Sequence, residues 1–124
     1  MIKVLHVDDN TDILEITKMS LELAGDIEVV QCESGEQALR TVQDYTPDVL
    51  LLDAMMPGMS GPETLDKLRE LPDLKCTPAI FMTAHARQAE QQEFIDLGAE
   101  KVISKPFDPL TLHEEIRAVV KLTT

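Results

Sequence analysis

With 124 residues, 44% of them apolar and only 3% aromatic, the chain has the size of one compact domain whose core must be filled by aliphatic and Met side chains. A formal charge of −12 opposes approach to phosphate backbones and anionic surfaces, so nucleic acid and membrane are poor candidates for direct partners, while cations and basic protein surfaces fit better. No apolar run nears the roughly 20 residues of a membrane span, the N-terminus MIKVLHVDDN lacks a signal-peptide pattern, and Cys32 and Cys76 have neither CxxC nor zinc-ligand spacing.

These features predict a cytoplasmic protein with reduced thiols, one domain over residues 1–124 and no output domain. Along it, short aliphatic runs alternate with longer amphipathic stretches. Ile2 to Val7 reads as a first strand, leading through Asp8, Asp9 and Asn10 into a helix over 11–24 that Gly25 follows. A strand over Ile27 to Gln31 precedes a helix over 35–44, where Ser34 and Gln37 have capping-box spacing. Val49 to Leu52 forms the third strand, and Asp53 ends it. After the loop Ala54 to Ser60, a helix over 61–71 begins with Ser60 and Glu63 again at capping-box spacing. Ala79 to Thr83 is the fourth strand, followed by a helix over 86–97 and Gly98. Lys101 to Ser104 is the fifth, and a helix over 109–122 has Asp108 to cap it, Pro109 in its first turn and the stripe Leu112, Ile116, Val119, Val120. Five such units imply a parallel sheet with right-handed crossovers and helices on both faces; an eight-fold barrel needs a longer chain.

In such sheets ligands collect at the carboxyl ends of the strands. Asp8 and Asp9 follow the first strand and Asp53 the third, while Thr83 and Lys105 end the fourth and fifth. If the central strands are neighbours, three carboxylates, a hydroxyl and an ammonium meet in one cleft. Crowded carboxylates repel unless a cation intervenes, which points to a hard divalent metal; Mg²⁺, or Mn²⁺, suits one or two carboxylates plus an incoming phosphoryl oxygen. Asp53 stands alone before a loop and is the candidate nucleophile for an acyl phosphate. Lys105 and the metal would offset charge on the phosphoryl oxygens, Thr83 would donate its hydroxyl, and the small Ala84 would leave room. Taken singly, each of these residues is as well explained by capping or turn closure; their joint placement is the signal.

VDDN at the end of the first strand, LLLDAMMPGMSG around the third, FMTA ending the fourth and SKPF ending the fifth resemble the receiver domains of two-component response regulators, over Ile2 to about Leu122. That resemblance implies a flavodoxin-like (βα)5 fold with strand order 2-1-3-4-5. It implies phosphorylation on Asp53 by a histidine kinase or a histidine phosphotransfer protein, and Mg²⁺ held by Asp9, Asp53 and the backbone carbonyl of Met55, with Asp8 acting through water. It also implies contacts of Thr83 and Lys105 with the phosphoryl group, a cis peptide between Lys105 and Pro106, and signalling through protein contacts. The family's aromatic switch position, three residues before the lysine, is here Val102, so the Thr83 switch must reach the face of the fourth helix, fifth strand and fifth helix differently or with smaller amplitude. A monomer, or a weak dimer through that face, is expected. Met55 and His85, two residues after the acceptor and after Thr83, are candidates for tuning phosphoryl lifetime. His6 reads as a core histidine, and the Met55 to Met59 run as a loop shaping the site.

Beyond its own phosphorylation and dephosphorylation, the chain is not expected to turn over an external substrate. A dehalogenase-like phosphatase needs a second Asp two residues after the nucleophile, where Met55 stands, and a nucleotide or flavin carrier needs a glycine-rich phosphate loop that is missing. An adaptor that keeps only the fold is the third alternative. The downstream protein target is open: direct regulation, phosphate shuttling and a phosphate sink all fit.

Overall fold

The computed structural model describes residues 1–84 and 87–123, with side chains described through 121. Five parallel strands, β1 (Ile2–Val7), β2 (Ile27–Cys32), β3 (Val49–Asp53), β4 (Ala79–Thr83) and β5 (Lys101–Ser104), form one sheet in the order β2-β1-β3-β4-β5. This is the doubly wound topology the alternating pattern predicts. Val4 pairs with Val29 on one side and Val49 on the other, Leu52 with Phe81, and Thr83 with Ser104. The central strands β3 and β4 are buried throughout because helices cover both faces, which is why they read as unbroken apolar runs.

The helices are α1 (Thr11–Glu22), α2 (Gly35–Thr41), α3 (Gly61–Arg69), α4 (Gln88–Asp96) and α5 (Leu112–Thr123), with a short 3₁₀ turn at Pro72–Leu74. Side chains alternate along each strand, so the core divides into two layers. On one face Leu5, Leu50, Leu52 and Phe81 meet Leu65, Leu68 and Leu74; on the other Val4, Leu51, Ile80 and Met82 meet Leu21, Leu112, Ile116 and Val119. Gly25 and Gly98 take positive φ after α1 and α4, as left-handed helix ends require. No helix among the described residues is long and apolar enough to cross a membrane.

Several boundaries differ from the sequence expectation by a residue or more, and three of them show why. Helix α5 starts at Leu112 rather than 109. Asp108 starts the turn that leads into it: its Oδ1 accepts from Leu110 N (2.9 Å) and its carbonyl from both Thr111 N (3.2 Å) and Leu112 N (3.1 Å), so Pro109 to Thr111 form a turn ahead of the regular helix. Helix α2 stops at Thr41, where Gln43 N and Asp44 N bond back three residues to Arg40 and Thr41 carbonyls and tighten the end. Helix α3 ends at Arg69, and the Leu71–Pro72 step starts the 3₁₀ turn.

Candidate functional site

Order and register together bring the ends of β1, β3, β4 and β5 to one rim. A cleft of about 250 Å³ opens there, lined by Asp9, Asn10, Asp53, Met55, Thr83, Ala84 and Lys105. Asp8 lies beneath it, fully buried, and Asp53 and Thr83 are nearly so, whereas Asp9 and Ala84 are exposed. Carboxylate oxygens of Asp8, Asp9 and Asp53 lie within 4.8 Å of one another. An all-oxygen, triply acidic donor set of this size matches what Mg²⁺ or Mn²⁺ takes and offers no soft ligand for other metals.

Lys105 reaches into this cluster from the end of β5. Its Nζ stands 2.9 Å from Asp8 Oδ2 and 3.2 Å from Asp53 Oδ1, so one ammonium bridges two carboxylates. The Lys105–Pro106 peptide is cis, as the resemblance implied. Asp8 thereby holds the lysine while its other oxygen accepts from Asn10 N at 2.9 Å. The resemblance separates the two adjacent acids by their part in metal binding, but that Asp8 also holds the lysine was not legible in the sequence. Asn10, unassigned at that stage, lines the cleft and caps α1: its Oδ1 accepts from Asp12 N and Ile13 N. The signal was present as a cap residue before the first helix.

Burial, and then the nearby Asp8 charge, push the Asp53 carboxyl up to about 6, with Lys105 and the Met55 amide pulling the other way. Burial opposes the Lys105 ammonium, but hydrogen bonds and charges from Asp8 and Asp53 outweigh it and hold the lysine above its usual value. The acceptor is therefore a carboxylate short of positive charge, the condition under which a divalent cation binds favourably.

Met55 is largely exposed on the rim, and its amide donates a long bond (3.4 Å) to Asp53 Oδ1, which turns the loop start towards the acceptor. Val102 is half-buried beside Phe81 in the β4–β5 register, and the local aromatic contact is made instead by Phe81 with Phe94 of α4, rings 5.0 Å apart and tilted by 45°. His85 lies outside the described residues. His6 is buried, its Nδ1 3.2 Å from Gln31 Nε2, and burial pushes it down to about 4, so it is a neutral core histidine as its place in the strand predicts. Cys32 is a buried free thiol that burial pushes up, and Cys76 is exposed and free.

Compared with known proteins, residues 4–117 match the family model for the response regulator receiver domain. Among curated relatives, the transcriptional regulatory protein YvrH of Bacillus subtilis is 38% identical over 120 residues, 97% of this chain and 49% of that protein. The phosphate regulon transcriptional regulatory protein PhoB of Pseudomonas aeruginosa is 35% identical, over 97% of this chain and 52% of that protein. The chain thus spans about half the length of the curated relatives it matches. Among solved structures, the chemotaxis response regulator CheY4 of Vibrio cholerae superposes with a TM-score of 0.89 at 34% identity, covering 96% of this chain and 98% of that one. The receiver domain of the Francisella response regulator 1452 gives 0.89 at 28% identity over the whole of both chains.

Proposed function

The chain belongs to the response regulator receiver domain family, and from that premise we propose that it accepts a phosphoryl group on Asp53 from a histidine kinase or a histidine phosphotransfer protein. The observation that carries this reading is one nearly buried carboxylate, 3.2 Å from a lysine ammonium, at the floor of an acidic cleft open to a donor. An Asp53 carboxylate oxygen attacks the phosphorus of a phosphohistidine; as the O–P bond forms the P–N bond breaks, and its electron pair returns to the imidazole nitrogen.

The chain's own groups hold charge and position. Lys105, already fixed by Asp8, presents its ammonium to the phosphoryl oxygens and needs little reorganisation to do so. Thr83, at the end of the neighbouring strand, offers its hydroxyl to another oxygen, and Ala84 leaves the entry open. Asp8, Asp9, Asp53 and the Met55 carbonyl would hold Mg²⁺ or Mn²⁺. When bound, the ion supplies the positive charge that the acid cluster and the phosphoryl oxygens require. Output then passes through protein contacts, and no external substrate is turned over.

Incubation with acetyl phosphate and Mg²⁺ tests this by intact mass. One phosphoryl increment is expected on the wild type and none on Asp53→Asn. An increment that persists in Asp53→Asn contradicts the assignment.

A further inference from the structure

The acceptor loop is closed on itself by α3. Gly61 N, in the first turn of that helix, donates to Ala54 O at 3.2 Å, so the loop leaves β3 at Ala54 and returns to the same residue. The Gly61 backbone is ordinary, without the positive φ that would demand glycine. Space makes the demand. A Cβ on Gly61 would run into the Asp53 carbonyl oxygen, 2.9 Å from Ala54 Cα and 3.1 Å from the Asp53 carbonyl carbon, all of them backbone atoms.

Gly25, after α1, offers a contrast: there a positive φ of 86° makes the demand, and a Cβ would meet nothing within 4 Å. The first turn of α3 is further fixed by reciprocal Ser60–Glu63 bonds and by Thr64 Oγ1 donating to Ser60 O at 2.8 Å. With the helix anchored, a collision at residue 61 has to be relieved by moving the end of β3.

We propose that Gly61 is a positioning residue for the phosphoacceptor: its missing side chain lets α3 seat directly on the Asp53–Ala54 backbone and fixes Asp53 and the Met55 carbonyl relative to Lys105 and Asp9. This rests on the reading of Asp53 as the acceptor. Relieving the clash to ordinary van der Waals separation takes on the order of 1 Å. A misplacement of that size costs about 10²-fold in rate where reacting groups must be aligned.

The test compares wild type, Gly61→Ala and Gly25→Ala by Mg²⁺ titration calorimetry, acetyl phosphate labelling and urea unfolding. For Gly61→Ala, phosphorylation about 10²-fold slower is expected, with Mg²⁺ affinity clearly reduced. Gly25→Ala, strained by its positive φ and in contact with nothing at the site, should lose stability while keeping both properties close to wild type. Wild-type Mg²⁺ affinity and rate in folded Gly61→Ala would overturn the proposal, and so would equal losses in the two variants at equal stability. Should Gly61→Ala fail to fold, the Ser60→Ala/Thr64→Val double variant, which loosens the same turn without a clash, decides: weakened Mg²⁺ binding supports positioning and unchanged binding overturns it. Failure of the wild type to label at Asp53 would sink the acceptor reading instead, and the Mg²⁺ titrations would still test Gly61.

Discussion

Helices α3 and α4 each have nine residues and cover the same face of the sheet, but they are attached to it very differently. Helix α3 carries a complete capping box and buries Thr64, Leu65 and Leu68, while α4 has no side-chain cap and no fully buried residue, its main apolar hold being half-buried Phe94 on Phe81. Arg69 of α3 adds bonds to the carbonyls of Leu74, Thr77 and Gly98. The difference is one of composition: Gly-Pro-Glu-Thr-Leu puts small and apolar residues where the core needs them, whereas Gln-Ala-Glu-Gln-Gln offers it almost nothing. The acceptor side of the cleft is thus built on the firmly held helix, and the Thr83 side adjoins the weakly held one. Local opening free energies follow buried contacts, so α4 should be the first of the two to open.

Truncating Leu68, fully buried in α3, should cost about 2–5 kcal/mol as Leu68→Ala in urea unfolding. Phe94→Ala, at a half-buried site, should cost about 1–2 kcal/mol, because only part of the ring leaves water on folding. A Phe94→Ala penalty as large as that of Leu68→Ala would break the comparison. At the caps, Ser60→Ala should lose about 1 kcal/mol. Arg87→Ser, which with Glu90 completes a capping box at α4, should gain about 0.5–1 kcal/mol, read as slower amide exchange confined to that helix.

The smallest effect belongs to the opposite face. There the half-buried Arg117 holds the exposed Asp26 through Nε–Oδ2 (3.0 Å) and Nη2–Oδ1 (2.6 Å) bonds, and the Asp26 pKa is lowered. A folded-state pKa below the unfolded one contributes stability above the unfolded value and loses it as pH falls through the folded value. Arg117→Ala should therefore be slightly less stable than wild type at neutral pH and equal to it in strong acid, less so at high salt, with exchange in α3 and α4 unchanged.

The sheet and the rim residues were legible because strand runs and strand-terminal polar groups are local signals. Asp8, Asp9, Asp53, Thr83 and Lys105 all lie where the pattern predicted. The start of α5 lies three residues later than expected because an Asp-Pro pair reads equally as a helix start and as the turn that leads into one. The Ser34 and Ser60 signals look alike, but only Ser60 makes the reciprocal box; Gln37 Oε1 instead accepts from Glu33 N at 2.7 Å. Gly61 was invisible for a deeper reason. A glycine required by the approach of another segment, rather than by its own φ, carries no mark in the neighbouring sequence.

The most direct test of the central claim is to trap the acyl phosphate chemically and locate it. Borohydride reduction of the phosphorylated protein converts an acyl-phosphate aspartate to homoserine, which peptide sequencing places. Homoserine at position 53 and nowhere else is the predicted result; homoserine at position 8 or 9, or phosphate retained on a histidine, would contradict the account.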